Sequence, residues 1–149
     1  MSPCMLISIL AILLLRTASG SEMSLFGGCL LHQDCVFKQS LCFNGFCIEA
    51  AELPMNCKRS ADCRTEDSYK QNAGRACRDS KCYEIKADKL CTGNVSCGDK
   101  QVCIRSHCVA AVPTSTKCFG DILCGIGRRC LDGICYEPQQ PETQESEPS

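Results

Sequence analysis

The sequence predicts a small disulfide-rich fold made of tandem cysteine-stapled β-hairpin units with little regular secondary structure. Three observations lead to this class: an N-terminal segment of the secretory type, a very high cysteine content and a repeated cysteine spacing. The chain has 149 residues and 17 cysteines, a proportion typical of secreted disulfide scaffolds. We therefore expect the bridges to stabilise units that are too small to build a core of their own.

Residues 1–20 are predicted to be a secretory signal peptide. Their apolar run, Leu6 to Leu15, is shorter than the roughly 20 residues that span a bilayer, and the small residues Ala18 and Gly20 follow it. Cleavage after Gly20 removes Cys4 and leaves 16 of the 17 cysteines, an even number that favours complete pairing. The mature protein is accordingly expected to be secreted and extracellular, with no membrane span.

The remaining cysteines form four quartets of one design. In every quartet the first gap is five residues and the last gap is four, whereas the middle gap is six, thirteen, five and five; the spacers between quartets are nine, eight and nine. A constant frame with one variable gap is typical of a repeated unit with a tolerant loop. The predicted units are 29–47 (Cys29, Cys35, Cys42, Cys47), 57–82 (Cys57, Cys63, Cys77, Cys82), 91–108 (Cys91, Cys97, Cys103, Cys108) and 118–135 (Cys118, Cys124, Cys130, Cys135).

The last gap of each unit predicts a β-hairpin. Asn44-Gly45 and Asp132-Gly133 lie between apolar residues, and such pairs suit a two-residue turn in which both φ angles are positive. The turns of units two and three are inferred from spacing alone. Short strand-like stretches follow each hairpin, and little helix is expected.

Four cysteines allow three pairings, and the hairpin leaves two of them open. The third and fourth cysteines face each other across the hairpin, so both can reach the preceding segment. Pairing of first with third and second with fourth is favoured over first with fourth and second with third. Zinc is the competing interpretation, but the gaps within units and an oxidising route favour disulfides, so we predict no metal and no cofactor.

The quartet design resembles the EB module, a cysteine-rich repeat of secreted invertebrate proteins, and more faintly the Dickkopf N-terminal cysteine-rich region. The residues that carry the resemblance are Asp34-Cys35, Asp62-Cys63 and Ser96-Cys97, with the hairpins Cys42-Phe-Asn-Gly-Phe-Cys47 and Cys130-Leu-Asp-Gly-Ile-Cys135. EB modules are usually counted with eight cysteines, so the resemblance implies two modules of two quartets each. Neither family implies catalytic residues.

Charge and motifs argue against several classes of function. With Arg16 and the four glutamates of the tail set aside, residues 21–136 carry 15 basic and 13 acidic side chains, a balance that predicts no nucleic-acid or membrane-surface partner. No paired-carboxylate or Gly-rich phosphate motif is present. His32 and His107 lie in different units and are expected to be surface loop side chains, so no enzyme is predicted.

A few further residues are candidates for modification or binding. Asn94 begins a glycosylation sequon, Asn94-Val95-Ser96. Two basic pairs, Lys58-Arg59 and Arg128-Arg129, lie within cysteine-bounded gaps and form a possible inhibitory loop for a trypsin-like protease. The thirteen-residue gap of unit two is either a recognition loop or a tolerated insertion. Residues 137–149 are predicted to be a disordered acidic Pro/Gln-rich tail.

Taken together, the sequence predicts a secreted, non-enzymatic disulfide-rich repeat protein. We expect an elongated array of four small units that serves as a protein-binding or extracellular structural module, with an unknown extracellular protein as its partner. A serine protease inhibitor presenting a basic loop and a toxin-like secreted effector are the alternatives.

Overall fold

The fold was obtained as a computed structural model, which describes residues 28–66 and 69–141. The predicted signal peptide and residues 142–149 of the predicted tail lie outside the described residues. Within the described residues, eight disulfides hold four antiparallel hairpins, and helices are short. The predicted fold class is therefore confirmed.

All four units form the predicted hairpin. In chain order the strands are β1 Ser40–Phe43, β2 Phe46–Asn56, β3 Arg75–Arg78, β4 Lys81–Ile85, β5 Gln101–Ile104, β6 His107–Lys117, β7 Arg129–Leu131 and β8 Ile134–Pro138. Both turn residues have positive φ in every unit, as for Asn44 (53°) and Gly45 (84°) in unit one and Arg105 (48°) and Ser106 (66°) in unit three. Units two and three thus adopt the same turn without a glycine.

The disulfides join first to third and second to fourth cysteine in every unit. The bonds are Cys29–Cys42, Cys35–Cys47, Cys57–Cys77, Cys63–Cys82, Cys91–Cys103, Cys97–Cys108, Cys118–Cys130 and Cys124–Cys135. The third and fourth cysteines are direct partners across each hairpin, as Cys42 and Cys47 are in unit one. Of the two pairings that hairpin geometry left open, this is the one that was favoured, and it ties both sulfurs of the hairpin to the preceding segment.

The units combine in pairs. Strands β2 and β6 each have 11 residues and continue through the nine-residue spacers, where β2 pairs with β4 and β6 pairs with β8. Two four-stranded antiparallel sheets result, in the orders β1-β2-β4-β3 and β5-β6-β8-β7. We call units one and two module one, and units three and four module two. The spacers expected to be short strand-like stretches are thus full sheet strands inside each module, and the eight-residue spacer joins the modules.

One apolar core is shared by both modules. Its buried members are Leu41, Phe43, Ile48, Ala50, Ala76, Tyr83 and Ile85 from module one, and Val102, Ile104, Val109 and Ala111 from module two. The cysteines of each unit form a small separate cluster. The expected array of four separate small units therefore misses this shared core. Units that are too small to bury a core singly pool their apolar residues instead.

The contacts between the modules are repeated with the modules exchanged. Gly74 of unit two lies against the imidazole of His107 in unit three, where a Cβ at position 74 would collide with the ring. Gly127 of unit four lies against Phe46 in unit one, where a Cβ would be 3.2 Å from Cε2. Each glycine is three residues before a third cysteine, and each ring precedes a fourth cysteine. The pattern is that of a self-complementary two-fold interface within one chain.

An ion pair accompanies each of these glycines. Arg75 Nη2 lies 3.2 Å from Glu84 Oε2 in module one, and Arg128 Nη2 lies 2.9 Å from Glu137 Oε2 in module two. The arginine directly follows the interface glycine in both modules. The equivalent glutamates lie on the strands β4 and β8, so the same pair stabilises the same corner of each sheet.

Regular helix is scarce among the described residues, as the sequence predicts. One five-residue α-helix, α1 Tyr69–Ala73, lies in the thirteen-residue gap of unit two. Short 3₁₀ turns occupy the first gaps, at His32–Asp34, Ser60–Cys63, Asn94–Ser96 and Asp121–Leu123. In the part of the chain that the structure describes, no helix has the length and apolar character needed to cross a membrane.

The predicted start of the tail at Glu137 is wrong. Glu137 and Pro138 belong to β8, where they pair with β6, and the Gln139 N–H donates to the Ala110 carbonyl at 2.9 Å. The long β6 offers a partner strand over this stretch, so the chain stays in the sheet despite its polar composition.

Candidate functional site

A side chain in each 3₁₀ turn fixes the hairpin of its own unit. This side chain belongs to the residue three positions before the second cysteine. It accepts a hydrogen bond from the backbone N–H of the third cysteine. The acceptors are His32 Nδ1 at 3.1 Å, Ser60 Oγ at 3.2 Å, Asn94 Oδ1 at 2.9 Å and Asp121 Oδ1 at 2.8 Å. This role was not predicted, although all four residues at this position carry an acceptor. These side chains belong to the frame.

The aspartate before the second cysteine also has a structural role. Asp34 Oδ2 accepts the N–H groups of Leu30 and Leu31 at 2.8 and 2.7 Å. Asp62 accepts the two equivalent N–H groups of unit two at 2.8 and 2.9 Å. These backbone bonds favour the charged carboxylate and hold the pKa of both aspartates below the usual range. The residues that carry the family resemblance thus close the first gap of the unit.

The basic pair Arg128-Arg129 is engaged in contacts within the protein. Arg128 donates to Glu137 from Nε at 3.0 Å and from Nη2 at 2.9 Å, and its guanidinium lies 5.1 Å from the ring centroid of Phe46. Arg129 Nη1 donates to the carbonyls of Gly98 and Gln101 in unit three, at 3.1 and 3.3 Å. Both arginines join unit four to its neighbours.

The basic pair Lys58-Arg59 is exposed. The Arg59 side chain is 82% accessible, and its Nη2 lies as far as 4.0 Å from Asp62 Oδ1. An exposed ion pair at this distance contributes little to stability. Its backbone is extended, with φ −140° and ψ 155°. Of the two candidate inhibitory sites, this is the one with the more exposed side chains.

Asn94, the predicted glycosylation residue, lies between units three and four. Its Nδ2 donates to Asp121 Oδ2 at 2.7 Å and to the Arg128 carbonyl at 3.2 Å, while its Oδ1 accepts the Cys103 N–H. Nδ2 is the atom that a glycan would occupy, so a glycan here replaces an N–H donor at a contact between units. Glycosylation of Asn94 stays a prediction.

The two histidines have different surroundings. His32 is half-buried, and burial lowers its pKa, with the charges of Arg78 and Arg105 lowering it further. His107 is buried, with Nδ1 2.7 Å from the Arg105 carbonyl and Nε2 3.9 Å from Glu84. The expectation that both are surface loop side chains is wrong for His107, because this ring fills the interface against unit two.

The cysteine sulfurs of each unit lie close together. In every unit three of them lie within 4.8 Å of one another. Each of these sulfurs is bonded in a disulfide, for example Cys63 to Cys82, and a disulfide sulfur is not the thiolate that zinc binds.

Exposed apolar side chains are concentrated in the unit-four loop, which we define as residues 119–127. Phe119 is 94% exposed, Ile122 91% and Ile126 80%, and Leu123 is 48% exposed. The loop is fixed at Cys118 and Cys124 by disulfides, by the 3₁₀ turn between them, and by the bond from Cys130 N–H to Asp121. A constrained backbone thus holds apolar side chains in water.

The other units differ at the equivalent positions. Unit one exposes Leu30, Leu31 and Val36, whereas unit two has Lys58 and Arg59 in place of the two leucines. The four first gaps therefore share one backbone frame and carry different surfaces. The unit-four loop was not predicted as a site. Apolar residues in such short gaps between cysteines can be buried or exposed, and the sequence does not show which.

Comparison with known proteins identifies one domain family. A family model described as a domain of unknown function, DUF7107, matches residues 90–137. No curated protein matches the chain, and no solved structure matches it. The matched range corresponds to module two, from the end of the linking spacer to β8. The match therefore covers both quartets of module two. The resemblance to the EB module stays a prediction.

Proposed function

We propose that this protein is a secreted, non-enzymatic binding protein whose disulfide frame presents the unit-four loop to a partner protein. The observation that carries this proposal is the exposure of Phe119, Ile122 and Ile126 on one constrained loop. Groups of exposed apolar side chains in soluble proteins mark interaction sites, and aromatic residues are common anchors in interfaces. Secretion is supported by eight disulfides, which persist in oxidising compartments.

The loop can supply the free energy of a specific interaction. Burying one large apolar side chain contributes about 1.5–3 kcal/mol, so three of them contribute roughly 5–9 kcal/mol before the costs of association. The disulfides and the 3₁₀ turn already order the loop backbone, so little conformational entropy remains to be lost on binding.

A binding screen with matched variants tests this proposal. The mature protein is screened against a library of extracellular domains, and each binder is measured with Phe119→Ser/Ile122→Ser and with Leu31→Ser/Val36→Ser. Losing two buried apolar contacts should weaken binding by about 100-fold or more in the unit-four variant. The unit-one variant is the matched control and should bind within about threefold of the parent protein. The proposal is contradicted if the unit-four substitutions weaken none of the binders.

Protease inhibition is the second candidate, and it is confined to one site. Lys58 and Arg59 are exposed on an extended backbone that two bonds to Asp62 hold in place, which suits a basic side chain entering the specificity pocket of a trypsin-like enzyme. If this function operates, Arg59→Ala abolishes inhibition and Arg129→Ala does not. A panel of trypsin-like proteases assayed with both variants decides between the candidates, and a cell response without either activity would favour an effector.

A further inference from the structure

A groove of about 470 Å³ lies between unit one, unit two and the hairpin turn of unit three. Its apolar lining comes from Leu30, Phe43 and Tyr69, and its basic lining comes from Arg64, Arg75 and Arg105. Among the described residues that line it, none is acidic. The groove is separate from the unit-four loop and is not used by the proposed function.

Two departures from the repeat meet at this groove. The first is the thirteen-residue gap of unit two, which contributes Arg64 and, through α1, Tyr69. Since the other middle gaps are five or six residues, this wall of the groove exists only in unit two.

The second departure is Arg105, the first turn residue of unit three. Its φ is 48°, a left-handed conformation that the other three units assign to Asn44, Asp79 and Asp132. Asparagine and aspartate tolerate this conformation, whereas for other side chains it costs about 1–2 kcal/mol. A locally unfavourable residue is expected where a function requires it. The guanidinium of Arg105 lies 5.4 Å from the Phe43 ring centroid, which places it in the groove.

Among the described residues, the positive charge of the groove is only partly balanced. Arg75 is paired with Glu84 and donates to Thr65 Oγ1. For Arg64 and Arg105, no described residue offers a side-chain hydrogen bond or an ion pair. His32 also lines the groove, and its pKa is lowered first by burial and then by the charges of Arg78 and Arg105.

We propose that this groove binds an acidic segment of a partner protein, with a carboxylate paired to Arg64 and Arg105 and a neighbouring apolar side chain against Leu30, Phe43 and Tyr69. Guanidinium groups bind carboxylates in bidentate geometry. A sulfated glycan offers the same charge but no apolar group for the Leu30 and Phe43 wall, and polyanions require longer rows of cations than two arginines. The groove volume suits two or three side chains rather than a folded surface.

A peptide titration of the full mature protein tests the proposal. The probe is acetyl-Leu-Glu-Glu-Leu-amide, and the control peptide carries Gln in place of both Glu. Binding is followed by NMR through the backbone amides of Cys42 and Asn72 and through the ring protons of His32. We expect the acidic peptide to bind and to raise the pKa of His32, because its carboxylate offsets the charge of Arg105. The Gln peptide should bind at least tenfold more weakly.

Three variants locate the binding. Arg64→Gln and Arg105→Asn should each weaken the acidic peptide about tenfold, and Arg105→Asn places a favoured residue in the turn, so its folding is secure. Arg59→Gln removes an exposed charge outside the groove and should change nothing. The proposal is overturned if the Gln peptide binds equally well, if Arg59→Gln weakens binding as much as Arg64→Gln, or if the acidic peptide fails to bind at millimolar concentration. It is also overturned if a heparin tetrasaccharide binds in an Arg64-dependent manner and the peptide does not.

Discussion

Modules one and two have the same frame but fix their second unit to the first in different ways. In module one, Arg78 is buried and donates from Nη1 to the carbonyls of Phe37 and Ser40 at 2.6 and 2.7 Å, and from Nη2 to the Cys35 carbonyl at 2.7 Å. In module two the equivalent position is Leu131. The disulfide frame thus determines the hairpins. The contacts that join one unit to the next are made by different side chains in the two modules.

In module two the joint uses an arginine from the other side of the third cysteine. Arg129 reaches the carbonyls of Gly98 and Gln101 near the surface, and Asn94 bridges to Asp121. The joint of module one is buried and charged, while that of module two is solvated and shared among several bonds. Module one also carries the unit-two insertion and the basic groove. The same disulfide frame thus accommodates different joints between units and different loops.

The largest expected effect is at the buried joint. Arg78→Met keeps much of the side-chain volume but leaves three carbonyls without their donor, so we expect the free energy of unfolding to fall by about 3 kcal/mol. Arg129→Met is the matched variant in module two, and its carbonyls can turn to water, so its loss should stay below about 1 kcal/mol. Guanidinium denaturation with the disulfides intact measures both. Equal losses would contradict the difference between the joints.

The next effect concerns the bridge between the two 3₁₀ turns of module two. Asn94→Asp places a second carboxylate 2.7 Å from that of Asp121, and at neutral pH this should destabilise the protein by about 1–2 kcal/mol. The exchange Asn94→Asp/Asp121→Asn restores one donor and one acceptor in reversed order. Thermal unfolding of unglycosylated protein should therefore rank the double variant near the parent, and a double variant as unstable as Asn94→Asp argues against the bridge.

A smaller effect is expected at the turns without glycine. Ser80 and Ser106 have φ of 64° and 66°, so Ser80→Gly and Ser106→Gly should each raise the free energy of unfolding by about 0.5–1 kcal/mol. The reverse change, Gly45→Ser, should lower it by a similar amount. Denaturation midpoints measure all three, and stabilisation in one module only would mean that the two turns are not equivalent.

The smallest effect is the pH dependence from His32. The folded-state pKa of His32 is lowered, so the folded protein binds fewer protons than the unfolded chain. Stability is therefore complete above the unfolded pKa of about 6.5 and is lost as the pH falls through the lower folded value. His32→Asn introduces the acceptor that unit three uses and should flatten this part of the pH profile. An unchanged profile would assign the pH dependence to other groups.

The local parts of the fold could be predicted from the sequence, and the long-range parts could not. The hairpin at Asn44-Gly45 and the disulfide pairing depend on turn residues and on spacing within one unit. The contacts of Arg78 join residues 38 to 43 positions apart, and no local pattern marks them. One signal for the pairing of units was present: the two nine-residue spacers became strands and the eight-residue spacer became the link.

The candidate site was predictable to a lesser extent. Basic pairs are visible in a sequence, but Arg128 and Arg129 make contacts between units because Phe46 of unit one and the unit-three carbonyls lie within their reach. Phe119 and Ile122 are residue types that usually lie in a core, and only the fold shows that they face solvent. Exposure depends on the packing of all four units and cannot be read from a single gap.

The central claim is that two equivalent modules share one core and therefore unfold together. Amide hydrogen exchange tests it most directly, through the Ala50 N–H, which donates to Gln39 in module one, and the equivalent Ala111 N–H, which donates to Lys100 in module two. Ile104→Ala removes a buried core side chain of module two and should cost about 2–5 kcal/mol. A shared core predicts that protection falls by the same factor at Ala50 and Ala111, whereas a loss at Ala111 with Ala50 unchanged would show two independent modules and contradict the account.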